Sequence, residues 1–174
     1  LEKEVRNCQP HIIINNRASV PGDFDTPECR VGFVQRNRAW ETCMPMGKEW
    51  AWTGAELKPW KEIMHQFISS VCGGGNYLLS IGAMPNGKIA LEETEYILRI
   101  GDWLRLYGDS VYGSRSGPWN PGYYGGSTCK GNIVYLHILN CPEKEKLVLP
   151  LEDMEIEKIS CLTGQQPDTQ QIGG

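Results

Sequence analysis

The segment "SSVCGGGNYLLSIGAM" (residues 69–84) passes from a helical pattern into a short, nearly continuous apolar run. Upstream, apolar residues fall at Leu57, Trp60, Met64, Phe67 and Val71, flanked by Ile63 and Ile68. That spacing predicts an amphipathic helix over 57–72, with Pro59 in its first turn and Gly73 just past its end. The run at 76–84, bounded by glycine turns, reads as a strand buried on both faces, as in parallel sheets covered by helices. The glycines lead from helix into strand. A phosphate-cradling loop has the opposite polarity, from strand into a helix N-terminus, so this signal excludes nucleotide binding.

Working outward, Ile97, Ile100, Leu104 and Tyr107 repeat the helical spacing over 91–107, and Gly108 supplies a stop. "HIII" (11–14) has the texture of another buried strand, and "AWETCM" (39–44) is a third. Residues 1–112 thus read as helix end, strand, long loop, strand, helix, strand, helix. The class is α/β, and a barrel or a doubly wound sheet both suit it. Farther on, "GNIVYLHILN" (131–140), "KLVLP" (146–150) and "EIEKISCLTG" (155–164) alternate without helical period. They are expected to be antiparallel strands of an all-β unit, with the boundary near Gly117: domains 1–116 and 117–174.

Composition narrows the function classes. A formal net charge of −4 and a pI near 5.4 argue against a nucleic-acid surface, which needs a clustered basic face. No apolar run is long enough to span a membrane. Seven cysteines are scattered with no C-x-x-C and no histidine at ligand spacing, so neither a zinc site nor a disulfide framework is expected, and no metal or cofactor. His11, His65 and His137 are far apart, and no G-x-S-x-G elbow occurs. The opening "LEKEVRNCQP" has the look of the last turns of a helix, and "TGQQPDTQQIGG" trails off uncapped; both ends read as cuts.

Two stretches carry chemistry. "NNRASVPGDFDTPE" (15–28) leaves the "HIII" run and offers the acids Asp23, Asp25 and Glu28 with Arg17, a fixed cation suited to oxygen-rich ligands. In parallel α/β proteins, function gathers where loops leave the carboxyl ends of strands. A solvated loop held by Asx turns fits the same residues. "AWETCMPMGKEWAW" (39–52) places Trp40, Trp50 and Trp52 beside Glu41 and Glu49. Aromatic faces next to carboxylates suit a sugar, which is apolar on one side and hydroxylated around its rim; core packing is the other reading of each tryptophan.

These stretches, with "QPHIIINNR", "GDFDTPE", "WETC", "EWAW", "GGGNYLLSIGAMPNGKI" and "IGDWLRLYGDSVYGS" in order across 9–114, resemble the α-L-fucosidases of glycoside hydrolase family 29. The resemblance implies the C-terminal portion of a (β/α)8 TIM-like barrel followed by part of an all-β sandwich. It implies a retaining exo-glycosidase acting on terminal α-L-fucose of fucosylated glycans, secreted, periplasmic or lysosomal, with no nucleic-acid or membrane partner. Glu28 matches the family's general acid/base, Arg17 an arginine near the sugar, and Trp50 an aromatic packing on fucose. Trp40 and Glu41 fall in the pocket-forming "WETC" segment. The family's nucleophile, an aspartate on an earlier strand, has no counterpart in these 174 residues, so the chain alone is expected to be inactive. The segment after Glu28, with Val31 and Phe33, is expected to enclose it in a less polar neighbourhood. A non-catalytic carbohydrate-binding relative and a small α/β interaction module are the rival readings.

Overall fold

The computed structural model describes residues 1–140, 146–151, 154–164 and 166–172. Helix α1 (Glu2–Cys8) leads into an extended stretch and a single 3-10 turn at Asn16–Ala18. Strands β1 (Phe24–Asp25), β2 (Ala39–Pro45) and β3 (Asn76–Ser80) then form a parallel sheet in that order. Helix α2 (Trp60–Cys72) connects β2 to β3, and α3 (Leu91–Tyr107) follows β3. The chain continues into a second, antiparallel sheet of β4 (Arg115–Ser116), β5 (Gly125–Lys130) and β6 (Ile133–Ile138). The class is therefore mixed α/β, built from two small sheets and their helices.

The apolar stripe of α2 forms the core. Met64, Phe67, Ile68 and Cys72 are buried against Tyr77 of β3 and Ile100, Trp103 and Leu104 of α3. Phe67 meets Trp103 edge to face at 6.1 Å between ring centroids, and lies 5.7 Å from Tyr77. The helix starts at Trp60 rather than Leu57, because the Lys58 amide is drawn back to the Met46 carbonyl at 3.0 Å. It ends at Gly73, whose N–H donates to the Ser69 carbonyl, and Gly74 then takes a φ of +85° that glycine alone adopts freely.

Three strand expectations need correction. "HIII" forms no ladder: only Asn15 bridges Phe24, and Ile13 is exposed. The run at 76–84 pairs only as far as Ser80 and is covered on one face, since Leu78 points away from α2 and is exposed. Among the described residues of 146–150 and 155–164 no strand occurs; Pro150 is held instead by the Trp119 indole N–H at 2.6 Å. Conversely, β5 was not anticipated, because "GGSTCK" lacks the branched apolar residues by which strands are read.

Candidate active site

The parallel sheet sorts side chains by simple alternation. Along β2, Trp40, Thr42 and Met44 are buried on the helix side, and Glu41 and Cys43 face the other way. Trp40 is therefore not beside Glu41 in a shared wall. Only 1% exposed, it lies beneath three glycines: a Cβ on Gly75 would fall 2.4 Å from its ring, one on Gly32 2.6 Å, and one on Gly73 3.0 Å. Its role is packing. A cavity of about 890 Å³ opens on this same helix side, among Trp40, Phe67 and Tyr77.

The opposite face carries the polar cluster. Asn15 turns the chain by accepting the Arg17 amide with its side chain at 3.1 Å. The Arg17 guanidinium then reaches forward, donating from Nε to Thr26 Oγ1 at 2.9 Å and forming an ion pair through Nη1 with Glu28 Oε2. Asn16 closes the ring: its Oδ1 accepts the Thr26 hydroxyl at 3.0 Å and the Thr26 amide at 3.3 Å, and its Nδ2 donates to Asp25 at 3.2 Å. "NNR" and "DTPE" are thus one hydrogen-bonded unit, although nine or more residues separate their members.

Glu28 is pinned from below by β2. The Cys43 amide donates to the Pro27 carbonyl and the Cys29 amide to the Cys43 carbonyl, both at 3.0 Å, so Glu28 stands level with Cys43. Cys29, with φ +55°, breaks the pairing there. The Cys43 thiol is pushed up chiefly by burial, and further by the charges of Glu28 and Glu41 against that of Arg17. Arg17, Glu28 and Glu41 therefore share one electrostatic neighbourhood around Cys43. The less polar enclosure expected for Glu28 is absent: its side chain is 41% exposed, and Phe33 points into solvent.

Each of the two aspartates has an arginine partner of its own. Asp23 accepts the Ile14 amide at 2.8 Å, and both its oxygens accept from Arg6 Nη2 at 2.9 Å, contacts that hold it below the usual carboxylate range, the Ile14 bond most of all. Asp25 accepts Arg38 Nε at 2.9 Å and Gln35 at 3.4 Å. Neither Arg6 nor Arg38 was marked by the sequence, because each lies more than a dozen residues from its acid. Trp50 lies in the loop after β2, 39% exposed, and shares no hydrogen bond with the Arg17–Glu28 unit. Among the described residues no cluster of three or more His, Cys, Asp or Glu could hold a metal ion, and no helix is long and apolar enough to cross a membrane.

Comparison with known proteins places the chain in a family. The family model described as alpha-L-fucosidase matches residues 1–109. Human tissue alpha-L-fucosidase is 32% identical over 120 residues, covering 63% of this chain and 25% of the relative. The alpha-L-fucosidase of Branchiostoma floridae is 30% identical over 128 residues, covering 68% and 28%. Alpha-L-fucosidase isoenzyme 1 from Paenibacillus thiaminolyticus superimposes with a TM-score of 0.68 at 28% identity, over 81% of this chain and 38% of its own. A Bacteroides thetaiotaomicron alpha-L-fucosidase shares the fold with a TM-score of 0.72 at 23% identity, over 84% and 39%. The chain spans about a quarter of the length of the curated relatives it matches. With its matched segment running from α1 through α3, the chain belongs to the alpha-L-fucosidase family.

Proposed function

We propose that the intact protein is a retaining glycosidase that removes terminal α-L-fucose from fucosylated glycans. Glu28 serves as general acid/base, Arg17 as its partner, and Glu41 and Trp50 complete the sugar-binding wall. In this reading the parallel sheet with α2 and α3 is the closing part of a (β/α)8 barrel. The antiparallel sheet opens a β-sandwich domain with its boundary near Gly117. The observation that carries the proposal is the Arg17–Glu28 pair, held by Thr26 and Asn16 beside the carboxyl-terminal half of β2. Barrel enzymes assemble their catalytic groups at this end.

The chemistry follows from those groups. A general acid delivers its proton to the glycosidic oxygen as the C–O bond breaks, and the carboxylate left behind later accepts a proton from the attacking water. Arg17 is placed to stabilise Glu28 in the ionised form that follows proton delivery. Asp23 and Asp25, spoken for by Arg6 and Arg38, are not free to act as nucleophile. Two carboxyl groups about 5–5.5 Å apart give retention, and wider spacing gives inversion. Incubating the intact protein with an aryl α-L-fucoside and following the anomeric proton by NMR tests the reading. α-Fucose must appear first; β-fucose as first product, or no hydrolysis, contradicts it.

A further inference from the structure

A second cavity, of about 840 Å³, lies between the loop leaving β2 (residues 47–57) and the loop leaving β3. Its walls are in contact: a Cβ on Gly82 would fall 2.4 Å from the Trp52 backbone nitrogen, so the two loops are closely joined. Trp52 and Tyr96 supply aromatic surface, Thr53 a hydroxyl and Lys88 a cation at the rim. Glu93, in the first turns of α3, also lines it. Glu93 is 5% exposed; its Oε1 accepts the Gly82 amide at 3.2 Å, and its Oε2 is buried with no hydrogen-bond partner among the described residues. A buried carboxylate oxygen left unpaired is costly, so Glu93 Oε2 is a ready acceptor for a donor brought by a ligand.

The cavity is separate from the Arg17–Glu28 unit but near it. Glu28 stands level with Cys43, and the loop that walls the cavity starts just past Pro45, about 7 Å farther along the strand at the usual rise per residue. Glu49, Ala51 and Trp52 line it and Trp50 does not, so the two tryptophans of the loop serve different spaces.

We infer that this cavity is a second carbohydrate subsite, taking the sugar that carries the fucose, with a ring hydroxyl donating to Glu93 Oε2 and the ring lying against Trp52. A hydroxylated ring supplies both a donor for the unpaired Glu93 Oε2 and an apolar C–H face for the indole. The inference rests on the fucoside-hydrolase reading above and extends it to the second sugar of the substrate.

The test compares a fucosyl disaccharide with methyl α-L-fucoside, which has no second sugar, using the intact protein. Glu93→Gln can keep an acceptor for Gly82 but puts an NH2, which donates and cannot accept, in place of Oε2, and Ala55→Trp fills the cavity from an exposed wall position. Both variants should raise the disaccharide KM about 10-fold, as expected for loss of about one hydrogen bond to a charged group. The methyl fucoside should stay within about twofold, since it makes no contact there. Equal losses on both substrates would make Glu93 a structural wall and overturn the inference, as would an unchanged disaccharide KM in Ala55→Trp. If wild type cleaves neither substrate, the fucosidase reading falls. The subsite then stands on lactose, a fucose-free probe: saturation-transfer NMR showing it bound to wild type and lost from Ala55→Trp supports the cavity, and no binding to wild type overturns it.

Discussion

At the scale of single residues, the side chain that organises the site is Arg17, which holds Thr26 and Glu28 at once with different nitrogens of one planar fork. A lysine offers one ammonium nitrogen in place of the planar fork and cannot reproduce this two-nitrogen geometry. Arg17→Ala should lower kcat of the intact protein about 100-fold, the order of loss expected when a catalytic group is displaced by an ångström. Arg17→Lys should recover little of it. Steady-state kinetics on an aryl fucoside checks this, and full activity in Arg17→Lys would show that charge alone suffices. Polar residues crowding behind an apolar run marked Asp23, Asp25 and Glu28 with Arg17, and the family resemblance singled out Glu28 and Arg17. Spacing alone could not say which arginine each acid takes: Glu28 pairs with Arg17, while the partners of Asp23 and Asp25 are Arg6 and Arg38, brought to them only by folding. Trp40 and Glu41 show the same limit, since adjacent residues of one strand part to opposite faces and the sequence does not say which face is which.

At the scale of elements, the packing of β2 against the glycines after α2 leaves no room for a side chain. A methyl group on Gly75 would overlap the Trp40 ring. Gly75→Ala should therefore cost about 1–3 kcal/mol by overpacking, measured by urea denaturation. A neutral result would mean that Trp40 can shift. In the antiparallel sheet, His137 is paired in register with Gly126, its ring within 3.1 Å of Thr128 Oγ1, and burial pulls its pKa down to about 4. The folded protein thus holds it neutral, while the unfolded chain protonates it near 6.5. Stability is fully present above about pH 6.5 and falls as pH drops toward 4, by up to about 3 kcal/mol from this group. His137→Gln should flatten that part of the pH–stability curve; an unchanged slope would place the loss in other groups. Helices α2 and α3 and strand β6 were legible from their periods, and β3 from a continuous apolar run between glycine turns, which overstated its length and burial. β5 was not, since its pairing is set by neighbours rather than by apolar side chains, and "HIII" was over-read because apolar texture does not specify a partner strand.

At the scale of the molecule, the two sheets are not independent pieces. A Cβ on Gly126 of β5 would fall 2.8 Å from Cys72 of α2, and Thr128 donates to the Ser110 carbonyl at 2.6 Å behind α3. Arg36 ties the segment between Glu28 and β2 to the start of the second sheet, donating to Gly117 O at 3.0 Å and Asn120 Oδ1 at 3.2 Å. Unfolding followed by tryptophan fluorescence and by far-UV circular dichroism should therefore give coincident transitions over this region. Two separated transitions would mean that the sheets fold as separate units. The same connections hold the loop bearing Glu28, and the account turns on that one carboxyl group acting as acid. In the intact protein, Glu28→Gln should lower turnover of fucosides with poor leaving groups by about 100- to 10,000-fold, the usual worth of general acid catalysis, and turnover of nitrophenyl fucosides far less. Equal losses on both classes would contradict it.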